Sequence, residues 1–208
     1  MMKNSSFLQL PEGEIKILLH VCCAPCSGSI LKRLVENGME PTVFFYNPNI
    51  YPAEEYRRRK EEVIRYAEKI KVPFVDEDPD PEQWMKTVQG YENAPERGER
   101  CTLCFEMRLG KTAAYASKNG FRVFATSLGI SRWKDLLQVN RAGEKAARFF
   151  SQLIYWDYNW RLHGGTELMA SVSQEENFYK QKYCGCLYSL HQSISRSLSK
   201  KAGVQPAR

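Results

Sequence analysis

The stretch HVCCAPCSGS, His20 to Ser29, places three cysteines, Cys22, Cys23 and Cys26, within five residues. Two further groups follow, Cys101-Thr-Leu-Cys104 and, near the end, Cys184-Gly-Cys186. A two-residue spacer lets two thiolates reach one metal centre from a loop or the first turn of a helix, and both zinc and an iron–sulfur cluster need four ligands. Cys22, Cys23, Cys26, Cys101 and Cys104 supply up to five. Spacing alone leaves three readings open: a zinc staple, an iron–sulfur cluster, or plain buried thiols, since free cysteine is often only a small core hydrophobe.

Cys184-Gly-Cys186 is a different signal. A disulfide across one glycine closes a very small ring whose strain makes it easy to reduce, which suits a two-electron store, and Gly185 gives the backbone the freedom such a ring needs. The same pair could instead supply ligands to the metal centre. Cys26 is expected at a helix N-terminus, where the dipole would lower its thiol pKa. His20 reads as a satisfied core or supporting residue, and His163 and His191 have no spacing partners.

The elements that must position these groups alternate. Ile15 to Val21 reads as a buried strand, Ser27 to Asn37 as a helix stopped by Gly38, and Pro41 to Asn47 as a second strand. Ala53 to Lys71 has Tyr56, Val63, Ala67 and Ile70 at helical spacing, and VPFVDED is a third short strand. A short helix over Pro81 to Gly90, a Gly/Pro loop YENAPERGER and a helix from about Thr102 to Asn119 follow. FRVFATS and SQLIYWD are strands around a helix from Asp135 to Phe150, and Thr166 to Leu198 reads as two helices interrupted by YCGCL. This pattern predicts an α/β domain with a mainly parallel sheet flanked by helices, in which ligands bind outside the carboxyl ends of the strands. Residues 1–208 read as a single domain, with a catalytic core over about 15–190 and a basic tail over about 191–208.

Composition narrows the classes. At 43% hydrophobic and 26% charged residues over 208 positions, the chain can bury a substantial core. Its apolar runs are far shorter than a membrane span and its start lacks the pattern of a signal peptide, so a cytoplasmic protein without a membrane partner is expected. Seven cysteines, an odd count, then argue against a disulfide framework. The net charge of +6 fits a polyanionic partner and equally fits an ordinary, slightly basic protein.

HVCCAPCSGS, CTLCFEMRL, TSLGISRWK, DYNWR and SQEENFYKQKYCGCLYS, in this order, resemble the epoxyqueuosine reductase family of the QueH type, over roughly Ile15 to Ser189. The resemblance implies a nucleotide-hydrolase-like, three-layer fold of the Rossmann-like class with a helical C-terminal part. It implies reduction of the epoxide of epoxyqueuosine at the tRNA wobble position, the last step of queuosine formation. It further implies a 4Fe-4S cluster held by Cys22, Cys23, Cys101 and Cys104, and a redox-active pair at Cys184 and Cys186. Cys26 belongs to the same opening motif and could replace one neighbour or bind a second, mononuclear iron.

Turning an epoxide into an alkene needs two electrons and two protons, which no side chain supplies unaided, so a redox cofactor and an electron donor, unidentified here, are required. A dithiol holding two electrons would complement a cluster that passes them singly, and an open iron position would be an alternative way to ease C–O cleavage. Tyr183, Asp135 and Asp157 are candidate acids by type and location. For the tRNA anticodon loop, stacking aromatics and basic residues are expected at the crevice edge: Arg132, Trp133 and Lys134 after the fourth strand, and Tyr158, Trp160 and Arg161 after the fifth. The run YRRRK, Tyr56 to Lys60, reads as a solvated helix face. Three rivals stand beside this reading: an ATP-using tRNA-modifying enzyme, a zinc-stapled non-catalytic RNA-binding protein, and a plain thiol–disulfide oxidoreductase. CCAPC occupies the place where the first needs a Gly/Ser-rich phosphate loop.

Overall fold

Strands buried on both faces are rich in consecutive apolar residues, and the central strand here obeys that rule: Ile17, Leu18, Leu19 and His20 are all fully buried. The computed structural model describes residues 8–77 and 79–201. Its strands are β1 (Lys16–His20), β2 (Glu40–Phe45), β3 (Phe74–Asp76), β4 (Val123–Thr126) and β5 (Ile154–Tyr155). They form one sheet in the order β3-β2-β1-β4-β5, with every pairing parallel. The helices are α1 (Ala24–Glu36), α2 (Ala53–Lys69), α3 (Pro81–Thr87), α4 (Glu99–Lys118), α5 (Leu136–Ala147), α6 (Gly165–Glu175) and α7 (Leu187–Lys201).

Alternate strand residues feed two cores. Ile17, Leu19, Val43, Phe45, Val123 and Ala125 meet Ile30, Leu31 and Leu34 of α1, Val63 and Tyr66 of α2, and Val172 of α6. Leu18, Phe44 and Phe124 meet Phe105, Leu109 and Ala113 of α4 and Val139, Ala142 and Ala146 of α5. The result is the expected three-layer α/β arrangement. Among the described residues, no helix is long and apolar enough to cross a membrane.

From β1 the chain first builds outward through β2 and β3, then returns to place β4 on the other side of β1. That reversal opens a crevice at the carboxyl ends of β1 and β4, directly in front of Cys22 and Cys23. Two boundaries differ from the sequence reading in ways that matter there. α1 starts at Ala24 rather than Ser27, because Pro25 falls in the first turn, where its missing N–H costs nothing. α4 starts at Glu99, so Cys101 lies in its first turn.

α1 and α4 both end as expected, before glycines at positive φ (Gly38, +76°; Gly120, +74°). Most of the segment expected as a basic tail is helical, since α7 runs to Lys201; residues 202–208 lie outside the described residues.

The turn into α6 closes on Gly165, which lies directly under the carbonyl oxygen of Trp160, where a Cβ would overlap the backbone. Gly165→Ala is therefore expected to destabilise the fold by about 1–3 kcal/mol, the usual cost of overpacking, read as a lowered urea midpoint.

Candidate active site

After β1 the chain bends at Cys22 and is extended at Cys23, and this segment is fixed from beneath. Val21 N–H continues the β1–β2 ladder to Phe44 O (2.9 Å), and Val21 O accepts from Asn47 Nδ2 (2.9 Å). Asn47 Oδ1 in turn accepts from the buried Arg108 (2.5 Å). His20 is fully buried, with Nδ1 2.8 Å from Thr126 Oγ1 and Nε2 3.2 Å from Tyr46 O. A carbonyl can only accept, so Nε2 carries the proton and Thr126 donates to Nδ1. Burial and then the nearby Arg108 charge push the His20 pKa down to about 3, which keeps it a neutral supporting residue.

Cys23 is the N-cap of α1, and its carbonyl receives both the N–H (3.2 Å) and the hydroxyl (3.0 Å) of Ser27. The sulfurs of Cys22, Cys23 and Cys26 all lie within 4.8 Å of one another, with Cys22 and Cys23 3.6 Å apart. Hydrogen bonds from the Cys23 and Cys26 thiols hold the Cys22 pKa well below the ordinary thiol range, despite burial. Cys23 is raised by its own bonds to Cys22 and Cys26, and Cys26 is pushed up to about 12, its bond to Cys22 being the largest cause. This differs from the expectation for Cys26: although it stands in the first turn of α1, its hydrogen bond to Cys22 and its burial raise its pKa.

The facing wall comes from α4, the loop before it and the segment before α7. Arg100, itself buried, donates through one nitrogen to the carbonyls of Tyr91 (3.2 Å), Glu92 (2.7 Å) and Ala94 (2.6 Å). Gln138 of α5 bonds Arg97 O, Gly98 O and Thr102 Oγ1. Cys101 Sγ accepts from Arg97 N–H (3.4 Å), and burial first of all pushes its pKa up to about 12. Cys104, one turn along α4, is buried beside Trp84, Val88 and Cys186.

Cys184 is exposed and Cys186 is buried. Cys186 precedes the first residue of α7, and its sulfur accepts the N–H of Ser189 (3.4 Å) in the manner of a helix cap.

These walls enclose a cavity of about 430 Å³. Cys22, Cys23, Cys26, Cys101, Cys184 and Cys186 all line it; Cys104 does not. Lys134 lines it too. Burial pulls the Lys134 pKa down, but the sulfurs of Cys184, Cys22, Cys26 and Cys23 outweigh burial and leave it raised.

The remaining expected residues fall into different places. The loop that carries Arg132, Trp133 and Lys134 is gripped from two sides. Arg161 donates to Ser131 O (2.6 Å) and Lys134 O (3.0 Å), and Arg97 donates to Trp133 O (3.0 Å) and Arg132 O (3.2 Å). Trp133 is 70% exposed, with the Arg132 guanidinium 4.8 Å from its ring centre. Trp160, expected at the crevice edge, is only 2% exposed and packs in the core against Trp156 and Tyr158, so it offers no face to a base. Arg161 is spent on loop carbonyls rather than left free for a phosphate.

Of the acid candidates, only Tyr183 lines the cavity, its hydroxyl donating to Tyr51 O. The Asp135 carboxylate caps α5 by accepting from Leu137 N (2.9 Å) and Gln138 N (3.3 Å), and Asp157 is exposed away from the cavity lining. Arg59 is the residue the sequence reading missed. It is buried and lines the cavity, while Arg57 and Arg58 beside it are exposed. Its signal was helical phase, since Tyr56, Arg59, Val63 and Tyr66 share one stripe of α2.

The family model described as "Epoxyqueuosine reductase QueH" matches residues 17–192. The chain belongs to this family. An epoxyqueuosine reductase QueH of Haemophilus influenzae is 54% identical over 89% of this chain and 76% of its own length. The relative of the same name from Acinetobacter baylyi is 53% identical over 88% and 84%, and that from Thermotoga maritima 32% identical over 86% and 96%.

Among solved structures, the U34-tRNA thiolase NcsA of Methanococcus maripaludis, with its [4Fe-4S] cluster, superposes with a TM-score of 0.55 at 12% identity, covering 96% of this chain and 70% of that one. A predicted tRNA methyltransferase subunit from Methanocaldococcus jannaschii gives 0.50 at 14% identity, covering 91% and 90%. At these identities the structural likeness speaks for the fold, and the family membership for the activity: the chain is an oxidoreductase that reduces epoxyqueuosine. A zinc-stapled, non-catalytic module is not favoured.

Because Asp135 is a cap, Asp135→Asn, which retains the capping oxygen, is expected to keep turnover within about twofold, whereas Asp135→Ala should cost about 1 kcal/mol of stability in thermal unfolding.

Proposed function

We propose that epoxyqueuosine, carried in a tRNA anticodon loop, is reduced in the cysteine-lined cavity by a 4Fe-4S cluster working with a Cys184/Cys186 dithiol. The observation that carries this reading is the convergence of six cysteines on one cavity at the point where the strand order reverses. An all-sulfur donor set suits an iron–sulfur cluster. Cys22, Cys23 and Cys101 present their thiols to the cavity, and Cys104 lies buried one turn further along α4; these four are the ligands in this reading. A second reading, with Cys26 in place of Cys104, is favoured by the position of the Cys26 sulfur beside those of Cys22 and Cys23.

When bound, the cluster supplies electrons one at a time. Around it, the chain's own residues set the conditions. Lys134 keeps a positive charge among the sulfurs, which offsets thiolate charge there. Tyr183, a lining residue, keeps its hydroxyl proton, which it donates to Tyr51 O, because burial pushes its pKa up to about 12; in this reading that proton goes to the leaving oxygen. Cys184 and Cys186 face the same space and hold two electrons as a dithiol.

The extruded base needs a platform, and exposed Trp133, backed by Arg132, offers a flat face at the rim. Lys182 and Arg196 around the cavity suit the phosphates.

Protein purified without oxygen is expected to contain about four irons and four sulfides per chain and to bleach on reduction; stoichiometric zinc without colour would overturn the cluster. Cys101→Ala should lose the iron. Cys184→Ala should keep iron and visible spectrum and stop turnover. Full iron in Cys104→Ala together with loss in Cys26→Ala selects the second ligand set. Trp133→Ala should weaken tRNA binding by about 1–3 kcal/mol in a filter-binding titration, with iron content unchanged.

A further inference from the structure

α2 drives one arginine into the interior. Arg59 is 2% exposed, and its neighbour one turn back, Glu55, is also buried. Arg59 Nε donates to Glu55 Oε1 (2.8 Å), and Glu55 Oε2 accepts from Tyr179 Oη (3.0 Å), so both carboxylate oxygens are used in aiming the guanidinium. The outer nitrogens then reach two successive carbonyls, with Nη1 donating to Cys184 O (3.0 Å) and Nη2 to Tyr183 O (3.2 Å). The third carbonyl in the row, Gly185 O, accepts from Tyr51 N–H (2.8 Å), just before α2.

Gly185 has φ +137°, and a Cβ there would stand 3.1 Å from Arg59 Nη1, so only glycine lets the turn close on this guanidinium. At the other end, Gly185 N–H and the Cys186 thiol both meet Ser189 Oγ (3.2 and 3.4 Å).

A buried ion pair of this kind contributes little net stability compared with an apolar pair of the same size, because both charges lose their hydration. What it specifies here is position. A guanidinium bonds two carbonyls and a carboxylate at once through a rigid fork, which an ammonium cannot reproduce.

We propose that Arg59, aimed by Glu55, is the positioning residue that holds the Cys184-Gly185-Cys186 turn against the cavity and biases its cysteine pair towards the dithiol. This rests on the reading of that pair as a redox couple. The sign of the bias follows from the state in which these bonds are made. The bonds described are made by the turn with both thiols free. They stabilise the reduced form, which raises the reduction potential of the pair.

The test is equilibration of the iron-containing protein with mixtures of oxidised and reduced glutathione, followed by thiol trapping and mass spectrometry. In each exchange a bond forms between Cys184 Sγ and Cys186 Sγ while the S–S bond of oxidised glutathione breaks; two electrons and two protons pass to the reagent, which becomes two thiols. Arg59→Gln is expected to favour the disulfide by about tenfold, about 30 mV to more negative potential, and to slow turnover at least as much, with iron content unchanged. Arg59→Lys should move in the same direction, since it keeps the charge and loses the fork. Should Arg59→Gln fail to fold, Glu55→Gln serves in its place, with an expected shift of about threefold.

Wild-type and variant titrations that superimpose, or a shift towards the dithiol, would overturn the positioning role while leaving the redox pair standing. A wild-type pair that forms no disulfide at any ratio of the reagents overturns the redox reading, and the role of Arg59 with it.

Discussion

Loops that wall a binding site carry carbonyl groups that neither sheet nor helix satisfies, and a buried carbonyl without a donor is costly. This protein meets the requirement with arginines. Arg100 gathers the carbonyls of the loop before α4, Arg97 and Arg161 hold the loop after β4, and Arg59 holds the segment before α7. Each of these segments contributes a wall of the same cavity, so the shape of the site depends on guanidinium groups that themselves need not touch substrate. The fold supplies the floor, at the carboxyl ends of β1 and β4, and the arginines supply the sides.

The same choice settles the electrostatics. Several thiols gathered in a buried space resist ionisation, as the raised pKa values of Cys101 and Cys104 show, with burial the largest cause in both. Arg108 beneath Cys22 and Lys134 on the wall work against that tendency. The positive charge that a sequence count records as a slight basic bias is thus partly internal, spent on sulfur and on backbone oxygen rather than on an external polyanion.

That division explains which parts of the molecule were legible beforehand. Strand–helix alternation and the parallel sheet follow from hydrophobic period, and the place of Cys22 and Cys23 follows from their position just after the first strand. Arginine roles were not legible. Arg59 sits in a run of basic residues whose neighbours are solvated, and only its phase on the apolar stripe of α2 sets it apart. Trp160 and Trp133 both follow strands and are alike as sequence, but the chain folds Trp160 inward against Trp156 and leaves Trp133 outside, a difference decided by tertiary contacts. Asp135 reads equally well as an acid or as a cap, and only the two amide hydrogen bonds decide.

The order of the walls along the chain has a consequence for how the site comes into being. The floor and the α4 side are encoded in the first two thirds of the chain, whereas the wall bearing Cys184 and Cys186 arrives with α7. Chains are made from the N-terminus, and a domain folds as a unit. During synthesis Cys22, Cys23 and Cys101 therefore leave the ribosome well before Cys184 and Cys186, and the pocket waits on the last helix to be made.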